Sequence, residues 1–176
     1  MTSGPLSRCG PIRQCAYLVR DLDAAVAWWA ALGVGPFLTM AETRMQGYRL
    51  RGEPVEPVLT LAFANSGDLQ VELIATHDDV PSVFNEALAS GRDGAHHLAW
   101  WVDDWTGWER LAVEAGWTPV TDGDGGGMAH FAYYDVGGPL LAEVMELNDS
   151  TRWLAGTVRA AHDTWDGTDP LRDLFA

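Results

Sequence analysis

Four polar side chains stand where strands should be apolar. Gln14 and His97 lie at the heads of "QCAYLV" and "HLAWWV", and Glu72 and Glu143 sit inside "LQVELIA" and "LLAEVMEL". A carboxylate inside an apolar strand is costly to bury without a partner. Two of them at matched positions suggest one shared reason, and a divalent cation is an economical one. Gln14, Glu72, His97 and Glu143 offer one nitrogen and three oxygens. This hard-leaning set suits zinc, nickel, cobalt, manganese or iron, with positions left for water or substrate. Each residue alone has a plainer reading. A histidine opening a strand is usually solvated or hydrogen-bonded, and a lone strand glutamate usually faces water. Glu146 is the rival of Glu143 but falls out of the repeat register.

That register comes from an internal repeat. A shift of 83 positions carries Gln14 onto His97, Ala16 onto Ala99, Asp21 onto Asp104, Gly33 onto Gly116 and Pro36 onto Pro119. Toward the ends of the halves a shift of 71 carries Gly67 onto Gly138 and Glu72 onto Glu143. The difference is a loop about 12 residues longer in the first half, placed in 44–57. In a strand, alternate residues share a face. Gln14 and Ala16 therefore share one face, as do His97, Ala99 and Trp101. Cys15, Tyr17, Val19, Leu98, Trp100 and Val102 take the other and suit packing under helices. On this reading His97 faces the open side, His96 points away from it, and Trp101 is placed to touch a substrate.

Each half reads as strand–helix–strand–strand–strand. "IRQCAYLV" is a strand, and Asp21 caps the helix "LDAAVAWWAAL", which Gly33 ends. Trp28 and Trp29 on that helix read as core and interface. "GPFLTMAET", "VLTLAFAN" and "LQVELIA" are strands, and "MQGYRLRGEPVEP" is a loop. "DDVPSVFNEALASG" is a short helix with Pro81 in its first turn. "HHLAWWVDD" starts the second half. A helix from Asp104 to Gly116, the strands "WTPVTD", "MAHFAYYDV" and "PLLAEVMEL", and a closing helix capped by Asp149 or Ser150 follow. The expected organisation is one domain over 1–176. Module 1 spans about 11–76, a linker helix about 79–91, module 2 about 94–147, and a helical tail 149–176. His130 is a possible pocket residue, His77 lies just past a strand, and His162 reads as surface.

Composition sets outer limits. The chain has 47% hydrophobic residues and a net charge of −14. That argues for a globular fold and against nucleic-acid or anionic-membrane partners. No apolar run reaches membrane-spanning length, and the N-terminus lacks the apolar centre of a signal peptide. A cytoplasmic protein is expected, with Cys9 and Cys15 as reduced thiols. "GDGGG" lacks the Lys-Ser/Thr and helix of a phosphate loop.

The segments "RQCAYLVRDLDAAVAWWAALGVGPF", "SGDLQVELI", "GAHHLAWWVDD" and "FAYYDVGG…AEVMEL" together resemble the vicinal oxygen chelate proteins, the glyoxalase, bleomycin-resistance and dioxygenase group. Within it they resemble the glyoxalase I and methylmalonyl-CoA epimerase-like branch. The resemblance covers about residues 11–147. It implies an α+β fold of two tandem βαβββ modules forming a cupped, barrel-like mixed sheet around one divalent metal, here with a C-terminal helix added. The family's four ligand positions fall on Gln14, Glu72, His97 and Glu143. Gln14 departs from the histidine commoner there. The implied activity is that of a metal-dependent lyase or isomerase. It moves a proton through a metal-stabilised enediolate or enolate on a small oxygenated carbonyl or acyl thioester, with Glu143 as first choice of base and Glu72 as second. The alternative is a metal-free protein that sequesters a small molecule, as bleomycin-resistance proteins do. A third reading, extradiol dioxygenase, wants two histidines and a carboxylate on iron, and the set is one histidine short. Partners implied are a small-molecule substrate and a second copy in a homodimer. Arg44, Arg49, Arg51 and Arg92, in expected loops, could serve a coenzyme A thioester.

Overall fold

The computed structural model describes residues 4–176. The first half runs β1 (Gln14–Leu18), α1 (Leu22–Ala31), β2 (Phe37–Arg44), β3 (Arg49–Leu50), β4 (Glu53–Pro54), β5 (Val58–Ser66) and β6 (Leu69–Thr76). Helix α2 (Val83–Ala89) leads into the second half: β7 (Gly94–Val102), α3 (Trp105–Glu114), β8 (Thr121–Gly123), β9 (Phe131–Tyr134) and β10 (Leu141–Glu146). Helix α4 (Asp149–Asp163) and strand β11 (Leu171–Asp173) follow. The strands form one curled, open mixed sheet in the order β11-β2-β5-β6-β1-β7-β10-β9-β8-β3-β4. The α+β architecture expected from the sequence is the one observed.

The helix starts follow local chemistry. The Asp21 carboxylate accepts from the Ala24 amide, and Asp104 does the same for Gly107. Gly33 ends α1 at φ 81°, a backbone angle that costs glycine little. Two caps differ from expectation. Ser82 caps α2 by accepting from the Asn85 amide, so Pro81 precedes the helix instead of lying in its first turn. Asn148, not Asp149 or Ser150, caps α4. Its side chain accepts from the amides of Ser150 and Thr151, while the Thr151 hydroxyl accepts from the Asn148 amide. This reciprocal box satisfies more orphan donors than either acidic or hydroxyl neighbour could. Asn148→Ala is expected to cost about 1 kcal/mol and lower Tm by about 2–4 °C. Thermal unfolding followed by circular dichroism checks this, with Asn148→Ser restoring most of the loss.

The expected loop 44–57 holds the β3–β4 hairpin. β3 pairs with β8 of the other half, Arg49 opposite Asp122 and Leu50 opposite Thr121. Two-residue strands flanked by Gly47 and Gly52 are too short to show a period, so the sequence reads as loop. The strand expected at "WTPVTD" begins only at Thr121.

The sheet buries both faces. On the convex side α1 packs Val26 and Trp29 on Phe37, Val71, Leu73 and Tyr17. Trp28 is 59% exposed and takes no part in this core. Helix α3 packs Trp108 and Ala112 on Tyr134, Val144 and Trp100. The concave side gathers Ala16, Leu18, Leu59 and Ile74 with Tyr48, Phe84 and Tyr133. Helix α4 also lies on this side. Its Val158 and Leu154 meet Leu38 and Phe63, and Phe63 is the register partner of Glu72. The tail that follows adds β11 in parallel beside β2. Both sheet edges are therefore very short strands, which limits edge-to-edge association.

Candidate metal centre and its cavity

The four central strands, β6-β1-β7-β10, carry one candidate donor each. Ala16 on β1 is the register partner of Glu72 on β6 and of His97 on β7. Ala99 on β7 is the register partner of Gln14 on β1 and of Glu143 on β10. Partners across a ladder share a face. The donors thus flank two alanines in a checkerboard with an approximate two-fold relation between the halves. Ala16 and Ala99 are fully buried, and their methyls leave room above the sheet for longer side chains to converge.

Three of the four do converge. His97 Nε2 lies 3.1 Å from Glu143 Oε2 and 3.4 Å from Glu72 Oε2, all buried. Two donors bound to one cation at about 2.1 Å stand about 3.0 Å apart at a right angle and about 3.4 Å apart at a tetrahedral one. His97 Nε2 and Glu143 Oε2 are nonetheless without a well-directed hydrogen bond. A buried donor and acceptor left unpaired is costly, and a cation shared between them removes the cost. Gln14 is buried beside them, its Nε2 donating to Gln70 Oε1 at 2.7 Å. Among the described residues no three His, Cys, Asp or Glu side chains form a ready-made cage. Here the carboxylates lean on the histidine itself. The donor types, their spacing and the two orphaned atoms fit a divalent cation.

The electrostatics follow from burial and proximity. Burial alone would depress the His97 pKa, but Glu143 and Glu72 outweigh it and raise it to about 9. Burial raises Glu72 above the usual carboxylate range, opposed by His97. Burial pushes Tyr133 well up, and the two carboxylates add to this. Its ring lies edge-on to His97 at 4.8 Å.

His96 does not face away. Tyr17 pairs with Ala95 and Ala16 with His97, which leaves His96 as the extra residue of a β-bulge. A bulge breaks strict alternation. The His96 ring lies 4.9 Å from Phe84 on the concave side, and its Nδ1 is 3.0 Å from His97 Nδ1. Burial, then the charge of His97, lowers its pKa to about 3. A neutral His96 accepting from His97 Nδ1 leaves His97 Nε2 as the donor atom, the usual way an outer partner orients a ligating histidine.

A cavity of about 930 Å³ including its mouth opens over this floor, and Gln14, Gln70, Glu72 and Glu143 line its polar end. Glu146 lies elsewhere, accepting from the His130 amide at 3.2 Å. His130 stacks on Trp105, outside the cavity lining. Trp101 also lies outside it. It sits under Arg13, in a groove with Arg8 and Cys9, while its register partner Met145 lines the cavity. His77 bonds the Thr60 hydroxyl at 2.7 Å, and both cysteines are free. Sequence reasoning missed Gln70 and Tyr133. Gln70 carried a usable signal, being two residues from Glu72 and so on its face. Tyr133 carried none.

A family model described as Glyoxalase/Bleomycin resistance protein/Dioxygenase superfamily matches residues 13–134. No curated protein matches the sequence. Among solved structures, a hypothetical protein from Bacillus halodurans C-125 has a TM-score of 0.62 at 17% identity, over 79% of this chain and 95% of that one. Methylmalonyl-CoA epimerase from Mycobacterium tuberculosis has a TM-score of 0.55 at 21% identity, over 81% and 91%. A Streptomyces coelicolor methylmalonyl-CoA epimerase in complex with 2-nitronate-propionyl-CoA has 0.51 at 20%, over 77% and 95%. At these identities the likeness is one of fold.

Proposed function

This chain belongs to the glyoxalase/bleomycin resistance protein/dioxygenase superfamily, and from that premise we propose that it is a divalent-metal-dependent isomerase or lyase. It moves a proton on a small oxygenated carbonyl compound. The observation that carries the reading is the pair His97 Nε2 and Glu143 Oε2, buried on a cavity floor, 3.1 Å apart and without a well-directed hydrogen bond. Gln14, Glu72, His97 and Glu143 would hold the cation. When bound, it would supply Lewis-acid polarisation of the substrate oxygens.

The chain's own residues supply the rest. Glu143 is the general base and Glu72 the second candidate, since both carboxylates line the cavity. His96 and Tyr133 fix the His97 ring, Gln70 holds Gln14, and the apolar walls exclude water. A second reading has one observation in its favour. With its pKa near 9, His97 is charge-matched by the carboxylates without any cation, as a metal-free binding protein would need.

Elemental analysis after incubation with zinc, nickel, cobalt, manganese or iron(II) and dialysis separates the two. The wild type and Glu146→Gln are expected to retain about one equivalent of at least one metal, with His97→Ala and Glu143→Ala below about a tenth of that. A wild type that takes up none of the five leaves the binding-protein reading.

A further inference from the structure

Resting on the proton-transfer reading, we propose that the substrate is neutral and largely apolar, oxygenated only at the end that reaches Glu143, and not carried on coenzyme A. The cavity lining is mostly apolar: Gln14, Gln70, Glu72 and Glu143 form its polar floor, and Thr43, Arg44, Gln46 and Thr151 are set among apolar walls. Its walls hold Met40, Met45, Met128 and Met145, with Leu61 and Phe63. The chain has five methionines, so every one after Met1 faces this space. They come from β2, the turn after it, the loop before β9, and β10. Unbranched, polarisable thioethers adapt to irregular apolar shapes.

The charges point the same way. Phosphate-bearing carriers need cations at the mouth. The chain has no lysine, and its eleven basic residues are all arginine. Arg49 is held by Asp122, Arg51 by Glu86, and Arg92 bonds the Ser90 hydroxyl. Among the described residues Arg44 is the only cation lining the cavity, and it stands 4.0 Å from Glu56. A net charge of −14 repels anions further.

Two fluorescent probes with the same rings test this in the full chain, with and without zinc. N-phenyl-1-naphthylamine is neutral, and 1-anilinonaphthalene-8-sulfonate adds one sulfonate. The neutral probe is expected to bind at least about tenfold tighter, since the anion must be desolvated against an apolar wall. Coenzyme A in large excess should not displace it. Met40→Glu and Met128→Glu should each weaken it about tenfold or more. Trp153→Ser, on the exposed Trp153–Phe175 pair, should leave it unchanged. Equal or tighter binding of the sulfonate, displacement by coenzyme A, indifference to both methionine substitutions, or no binding of the neutral probe overturns the proposal. The neutral probe has no chelating oxygens. A chain that takes up no metal yet discriminates the probes loses the proton-transfer reading and keeps this ligand class.

Discussion

Metal affinity is expected to climb about fiftyfold from pH 7 to pH 9 and about another twofold before it levels off. Without a cation the two carboxylates hold the His97 pKa at about 9, so at pH 7 the imidazole is protonated. A ligating nitrogen must be free of its proton, so each pH unit below that pKa costs about tenfold in affinity. Binding at pH 7 should therefore release about one proton, measurable by titration calorimetry in buffers of differing ionisation enthalpy. A flat profile would remove His97 from the ligand set. The stability of the chain without metal should move oppositely. The folded pKa of His97 lies above its ordinary value of 6.5. The stabilisation it brings is complete below that value and is lost as pH rises through about 9. The raised pKa of Glu72 has the same sign, its contribution being lost as its proton leaves. Melting temperature without metal should fall across that window, and the increment added by zinc should grow.

Ala99→Leu is expected to lower metal affinity on the order of 10–100-fold, the range found when groups that support ligands are removed, though no donor is altered. Ala99 has no exposed surface and lies between Gln14 and Glu143 in the ladder. Three added carbons would stand where side chains from neighbouring strands must meet. Overpacking itself costs about 1–3 kcal/mol, so the variant should still fold. Circular dichroism and metal content, read together, separate loss of the site from loss of the fold. Retention of full metal affinity by a folded Ala99→Leu would mean that the donors do not meet above that methyl.

The parts of the candidate site legible in the sequence are those governed by strand alternation. Gln14, Glu72 and Glu143 lie in regular stretches, where a period of two and the repeat register decide the face. His96 lies one residue from an equally regular position, and alternation fails there because the bulge is a property of the pairing, not of either strand alone. The β3–β4 hairpin escaped for a related reason, since its partner β8 lies about 70 positions later and nothing local announces it. The α4 sequence shows an amphipathic helix, but an apolar stripe does not say which surface it will cover. Only the tertiary arrangement sets it on Leu38 and Phe63, inside the cup.

That placement ties completion of the cavity to the order in which the chain is made. Helix α4 and strand β11 follow all four candidate donors in the sequence. Until they emerge from the ribosome, Leu38 and Phe63 face water, and β2 is an unpaired edge beside a half-built pocket. An exposed apolar face next to a free edge is the kind of surface that aggregates or engages chaperones. A product that stops before α4 would thus keep exposed the apolar patch that α4 covers beside the cavity.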